Sequence, residues 1–124
     1  MFGKFTPGAQ MNRDNEQFPD DENGDVLWRM VSNGDNLSKS REVDFPVIFP
    51  TEDAALKFAV QLLRNGEKVT FGPYESNAYF PWQVEVRPVL LPTHEIITKY
   101  ENLLAKESEA YGGVNDGWGS YAQD

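Results

Sequence analysis

The sequence predicts an α+β fold with elements in the order strand, helix, strand, strand, helix, strand, preceded by a short extra helix. The main observation is a repeat, since the segment at 47–53 recurs 42 positions later at 89–95 with the same order of apolar run, Pro, Thr and acidic residue. Each copy leads into an amphipathic helix, and alternating apolar residues fill the stretches between them. Because a solenoid needs three or more units, two copies indicate one small domain built from two similar halves.

The composition of the 124 residues limits the classes of function. There is no cysteine, which excludes a disulfide framework, a thiolate metal site and a cysteine nucleophile. No apolar run approaches the roughly 18 residues of a membrane span, and the N-terminus has no signal-peptide core, so we expect a soluble, cytoplasmic protein. The formal net charge of −9 disfavours sequence-independent binding to phosphate backbones and favours a basic protein partner.

The N-terminal segment, residues 1–24, shows neither helical nor strand periodicity and ends in the acidic run Asp20, Asp21 and Glu22. We expect a disordered acidic tail, followed by a single domain over residues 25–124. Asp25 is the expected N-cap of a short helix that ends before Gly34. The acidic run is a candidate surface for a basic partner.

The first half of the repeat predicts a strand over residues 42–49 with one buried face. Pro46 is the weak point of this strand, because proline lacks the N–H group that a sheet requires. Thr51 then caps a helix with an apolar stripe, which Gly66 ends.

The second half predicts strands at 69–71 and 80–89, a second long helix that begins after Thr93, and a short last strand within 114–122. Right-handed crossovers would place the first and third strands in the middle. The sequence therefore predicts a ferredoxin-like βαββαβ sandwich, in which two helices cover one face of a four-stranded antiparallel sheet.

Residues suited to catalysis or metal binding are sparse. His94 is the only histidine, so it has no second imidazole with which to share a metal, and no serine forms a recognisable triad with it. The acidic pairs fall on exposed helix faces, where carboxylates do not act as acid and base. We therefore expect no enzymatic activity, no cofactor and no metal.

The open face of the predicted sheet is where a related RNA-binding module would stack bases on aromatic side chains. Here it would present no aromatic residue and one cation, and we expect no direct binding to nucleic acid. Its six residues are Asp44, Pro46, Ile48, Gln83, Glu85 and Arg87.

The segment Asp116, Gly117, Trp118, Gly119, followed by Tyr121, is the strongest candidate site. A Trp between two glycines places a large amphipathic ring on backbone that can approach other groups closely. Two interpretations stay open: Trp118 packs over the second helix with its indole N–H bonded to an acceptor, or it contacts a partner.

This segment also carries a resemblance to a known family. Together with other segments it resembles the ribonuclease E inhibitor B family of bacterial regulators, over roughly residues 25–121. The other segments are Gly34–Lys39, Phe49–Ala55, Leu91–Ile97 and Tyr111–Gly113. The resemblance implies a ferredoxin-like domain that is not an enzyme and that lowers the activity of ribonuclease E by protein contact, which alters RNA turnover. The basic regions of that endonuclease suit an acidic partner.

Two further hypotheses stay open at this point. One is an interaction module for another basic protein, and the other is a ferredoxin-like domain that dimerises and binds a small molecule between sheet and helices. Dimeric relatives of this fold expose apolar residues on the open sheet face, whereas this chain has mostly polar residues there. We therefore expect a monomer or a weak dimer.

Overall fold

The computed structural model describes residues 13–124, and this part of the chain has the predicted α+β architecture. A four-stranded antiparallel sheet packs against helices, and an additional helix comes first. In chain order the elements are α1 (Glu22–Ser32), β1 (Arg41–Glu42), β2 (Phe45–Phe49), α2 (Glu52–Arg64), β3 (Val69–Pro73), β4 (Trp82–Val86), β5 (Val89–Leu90), α3 (His94–Ser108), a 3-10 turn (Glu109–Tyr111) and β6 (Val114–Asn115).

The order of the strands in the sheet is β3-β4-β2-β6, with every pair antiparallel. The first and third strands of the predicted fold, β2 and β4, therefore lie side by side in the centre, as the crossover argument predicts. Their register pairs Phe45 with Val86 and Val47 with Val84. The predicted fold class is confirmed.

The two long strands expected from the sequence are each interrupted. Residues 42–49 divide into β1 and β2, and residues 80–89 divide into β4 and β5, with β1 and β5 forming a separate two-stranded sheet. Pro88 lies at the interruption and has no N–H to donate, although its carbonyl oxygen accepts a hydrogen bond from the Val43 N–H at 3.0 Å. The last strand is also shorter than expected, because β6 ends at Asn115.

The core lies between the sheet and the helices α2 and α3. Phe58 of α2 is fully buried and packs against Phe49 of β2, with ring centroids 5.3 Å apart. Tyr100, its counterpart in the repeat, packs against Phe45 at 4.7 Å. Burial raises the pKa of the Tyr100 phenol to about 12, and the nearby carboxylates of Glu67 and Glu107 act in the same direction.

Both repeat helices begin as the sequence predicts. Thr51 caps α2 by accepting a hydrogen bond from the Ala54 N–H, and Thr93 caps α3 by accepting one from the Ile96 N–H. Pro46 lies in central strand β2, where its carbonyl oxygen accepts from the Asp116 N–H at 3.0 Å. The N–H and C=O of one strand residue point to the same side. The side on which Pro46 lacks an N–H therefore faces the segment just beyond β6, where the regular ladder has ended and no donor is needed.

The N-terminal helix differs from its prediction. Its N-cap is Asp21, not Asp25, and the Asp21 carboxylate accepts a hydrogen bond from the Gly24 N–H at 2.8 Å. Phe18 is buried and packs against Trp28 at 5.4 Å, so the expected boundary at residue 25 lies inside α1, and ordered contacts begin before it. Residues 1–12 of the predicted tail lie outside the described residues, and whether the domain folds without residues 1–24 stays a prediction.

Candidate partner-binding site

The DGWG motif, Asp116–Gly119, forms a bulge along the edge of β2. Val47 pairs with Asn115, and the Pro46 carbonyl accepts a hydrogen bond from the Asp116 N–H. A regular antiparallel ladder would continue to Trp118 opposite Asp44, but Asp44 pairs with Gly119, one residue further along. Gly117 supplies the extra residue with a φ of +85°, a left-handed conformation that residues with a Cβ rarely adopt. The bulge therefore explains why a glycine precedes Trp118.

The indole of Trp118 is partly buried against the core and hydrogen-bonded to α1. Its Nε1–H donates to Asn23 Oδ1 at 2.9 Å, and the Asn23 amide in turn donates to Thr98 Oγ1 at 3.1 Å and Glu101 Oε1 at 2.7 Å. One asparagine thus joins the motif, α1 and α3. The indole N–H therefore has an acceptor in the free chain, Asn23, as the packing interpretation expects, while contact of Trp118 with a partner stays a prediction.

The predicted acidic surface, Asp20, Asp21 and Glu22, lies at the start of α1, beside this junction. Asp20 and Glu22 are exposed. Asp21 caps the helix and also contacts His94 Nε2 at 2.8 Å. The hydrogen bond from the Gly24 N–H and then the one from His94 hold the pKa of Asp21 below its ordinary value. His94 is therefore a neighbour of the acidic surface and not an isolated solvated residue.

An acidic cleft of about 370 Å³ opens where the acidic surface and the motif meet. Its lining includes three carboxylate side chains from three different elements, two amide side chains and the indole. These residues are Glu22, Asn23, Glu101, Asn115, Asp116 and Trp118. Asn115 Nδ2 donates to the Glu101 carbonyl at 2.8 Å, which ties β6 to α3 beside the cleft.

The C-terminal segment after the motif is held by a buried ion pair. Arg41 and Asp35 are both almost fully buried and lie 2.8 Å apart. Arg41 also donates to the Tyr121 carbonyl, and the Asp35 carboxylate accepts from the Gln123 N–H at 3.0 Å. The backbone of Tyr121 is thus fixed, while its side chain is 88% exposed.

The open face of the sheet is less open than the sequence suggests. Ile48, which points to this face, is only 4% exposed. Tyr74, which follows β3, reaches the far edge of the sheet, where its phenol O–H donates to Asp116 Oδ2 at 2.7 Å. This hydrogen bond to a carboxylate raises the pKa of Tyr74. An aromatic side chain therefore crosses a face on which the sequence predicted none.

The other charged side chains of the open face are paired, since Arg87 forms ion pairs with Asp44 at 2.9 Å and Glu85 at 3.1 Å. Over residues 13–124 there is no group of His, Asp and Glu side chains arranged to hold a metal ion. In the same part of the chain, no helix is both long and apolar enough to cross a membrane.

The structure brings several of the predicted site residues together. Glu22 and the motif residues Asp116, Gly117 and Trp118 line one cleft. Asp20, Asp21 and Gly119 are not among its lining residues, and Tyr121 is exposed to solvent. The sequence did not identify Asn23 or Glu101 as members of the site. No pattern among neighbouring residues predicts that either one joins the site, since the hydrogen bond from Trp118 to Asn23, for example, spans 95 positions of the chain.

Comparison with known proteins assigns the family. No curated protein matches the chain. The family model described as "Regulator of ribonuclease activity B" (RraB) matches residues 20–120, which include α1, the sheet, the acidic cleft and the DGWG motif. Members of this family are non-enzymatic regulators of ribonuclease E activity. The chain therefore belongs to the RraB family of ribonuclease regulators.

Proposed function

We propose that this chain inhibits ribonuclease E by direct protein contact, and that the contact surface is the start of α1 together with the DGWG motif. The observation that carries the proposal is the Asn23 junction. Asn23 directly follows Glu22 of the acidic surface and accepts a hydrogen bond from Trp118 of the motif. Glu22 and Trp118 therefore lie in one patch, on the lining of the same cleft. Inhibition by contact then lowers cleavage without the inhibitor having to bind RNA.

Charge supports a basic partner for this patch. The acidic surface adds Asp20, Asp21 and Glu22 to the cleft residues Glu101 and Asp116, in a chain of net charge −9. Exposed charges attract a basic segment over about 8 Å at physiological ionic strength. Association should therefore be fast and should weaken as salt rises.

The aromatic side chain supports a short-range contribution to the same contact. Trp118 is only partly buried, so some of the ring is available to a partner, and its position is fixed by the hydrogen bond to Asn23. A pre-positioned tryptophan loses little conformational entropy on binding. The acidic residues should mainly set the association rate, and Trp118 should mainly set the dissociation rate.

The proposed partner has consequences for location and assembly. A contact with ribonuclease E requires the chain to be in the cytoplasm with it. Nothing in the proposed contact requires a second copy, and a monomer or weak dimer is sufficient. The cation of the open sheet face is already paired with Asp44 and Glu85, which disfavours RNA binding there.

Binding kinetics between the purified chain and immobilised ribonuclease E, with RNA absent, test the proposal. The test variant carries Asp20→Asn, Asp21→Asn and Glu22→Gln, in which Asn preserves the N-cap of α1. The matched control variant carries Glu52→Gln, Asp53→Asn and Glu95→Gln, which remove the same charge from the first turns of α2 and α3.

We expect the test variant to associate about tenfold more slowly and the control to stay within about twofold of wild type. Trp118→Ala should hasten dissociation, after circular dichroism has shown that this variant is folded. Two results would contradict the proposal: wild type that does not bind ribonuclease E, or equal slowing in the test and control variants. Tight binding of the chain to RNA alone would contradict it as well.

A further inference from the structure

We infer that the acidic cleft is a receptor for one arginine side chain of an extended basic segment in the partner. The inference rests on the proposed function only for the identity of that partner, and the cleft's preference for a guanidinium is a separate, measurable property. Three features of the cleft support it: uncompensated charge, unused hydrogen-bond acceptors and an aromatic surface.

The charge of the cleft is not balanced from within the described chain. Glu22 comes from α1, Glu101 from α3 and Asp116 from the bulge, and over residues 13–124 none of the three forms an ion pair with Lys, Arg or His. A concave site lined by one sign of charge concentrates the electrostatic potential. The occupant that relieves this potential is a cation.

The polar groups of the cleft retain acceptor capacity. The Glu101 carboxylate accepts from Asn23 and the Asp116 carboxylate accepts from Tyr74, but each carboxylate can accept several hydrogen bonds. These acceptors match an occupant with several donors.

A guanidinium fits this set of groups better than an ammonium or a metal ion. It carries five N–H donors in a planar fork, which suits carboxylates that approach from different elements, and its plane stacks on an indole such as Trp118. Over residues 13–124 no group of side chains has the arrangement of a metal site. The volume of about 370 Å³ is in the range of natural ligand pockets.

Nuclear magnetic resonance titration of the full, ¹⁵N-labelled chain tests the inference without ribonuclease E. The probe is the amidated peptide Gly-Arg-Gly-Arg-Gly, compared with peptides in which citrulline or lysine replaces arginine. Citrulline has nearly the same shape but no charge. We expect the arginine peptide to shift the indole N–H signal of Trp118, the lysine peptide to bind more weakly and the citrulline peptide to leave the signal in place.

Two single substitutions localise the binding. Glu22 and Glu52 are both exposed and both occupy the first position of a helix, one beside the cleft and one away from it. Glu22→Gln should weaken binding of the arginine peptide about threefold to tenfold, whereas Glu52→Gln should leave it within about twofold. Asp116→Asn, which retains an acceptor for Tyr74, should act like Glu22→Gln.

Several outcomes would overturn the inference. They are citrulline binding as strong as arginine binding, equal losses in Glu22→Gln and Glu52→Gln, and signal changes that map away from the cleft. Its failure is distinct from failure of the proposed function. Inhibition of ribonuclease E by variants with no peptide binding would reject the cleft alone, while cleft binding without inhibition of ribonuclease E would reject the proposed function alone.

Discussion

Asn23→Ala is the substitution that most directly tests how α1 is joined to the rest of the fold. It removes three side-chain hydrogen bonds at once, to Trp118, Thr98 and Glu101. It also leaves the partly buried indole N–H of Trp118 without its acceptor. The predicted result is loss of stability and loosening of α1, with the strands of the sheet unchanged.

The magnitude follows from the three bonds. A neutral hydrogen bond contributes about 0.5–1.5 kcal/mol net and one to a carboxylate about 1.5–3 kcal/mol, and the lower values apply because the site is only partly buried. Alanine recovers about 0.5 kcal/mol through its greater helix propensity. We therefore expect Asn23→Ala to lower the free energy of unfolding by about 2 kcal/mol.

Urea unfolding followed by far-ultraviolet circular dichroism measures this change. The matched control is Asn102→Ala, since Asn102 is an exposed asparagine in helix α3 with no side-chain hydrogen bond to residues 13–124. The control should stay within about 0.5 kcal/mol of wild type. Combining Asn23→Ala with Trp118→Phe in a double-mutant cycle should give a coupling of about 1 kcal/mol for the bond that both remove.

The refuting result is specific. A cost below about 0.5 kcal/mol for Asn23→Ala, equal to the control, would mean that the three bonds do not stabilise the junction. Zero coupling with Trp118→Phe would mean that the motif and α1 are energetically independent. Either result would remove the structural basis for a continuous patch of acidic surface and motif.

Three other substitutions test other parts of the molecule. Phe58→Ala removes a fully buried ring and should cost about 3–5 kcal/mol in urea unfolding, so a cost below about 1 kcal/mol would contradict the described core. Gly117→Ala forces a Cβ into a left-handed conformation with φ of +85° and should cost about 1–2 kcal/mol, whereas no loss would show that the bulge is not required. Asp35→Asn leaves the buried Arg41 without its carboxylate and should cost about 3 kcal/mol at pH 7. Burial alone would raise the pKa of Asp35, but the hydrogen bonds from Arg41 and the Gln123 N–H lower it below 3.8. The stabilisation by the ion pair is therefore present above about pH 4 and is lost as pH falls through the folded-state pKa. The difference between wild type and Asp35→Asn should therefore shrink below about pH 4, and a difference that is constant down to pH 2 would contradict this assignment.

The parts of the fold that the sequence predicted have local physical signals. The helix starts at Thr51 and Thr93 follow from capping residues and apolar stripes, both of which depend on neighbours within about two turns. The order of the central strands follows from the 42-residue repeat and the general handedness of crossovers. Such signals can be recognised in the sequence because each one involves a few neighbouring residues.

The features that the sequence did not predict depend on contacts between distant segments. Asp21 and Asp25 are equally suitable caps by residue type, but Asp21 caps the helix and also contacts His94, 73 positions away along the chain. Asp35 lies in the connection between α1 and β1, and its carboxylate accepts a hydrogen bond from the Gln123 N–H, 88 positions away. Local periodicity contains no information about such pairs.

The central claim is that the chain lowers the activity of ribonuclease E by contact through the patch at the start of α1 and the DGWG motif. The most direct measurement is the initial rate of cleavage of a short fluorescent RNA by purified ribonuclease E as the concentration of the chain rises. We expect the rate to fall to a plateau with wild type and with the variant Glu52→Gln, Asp53→Asn, Glu95→Gln. The variant Asp20→Asn, Asp21→Asn, Glu22→Gln should need at least about tenfold more protein for the same effect. An unchanged rate with wild type, or equal inhibition by the two variants, would contradict the account.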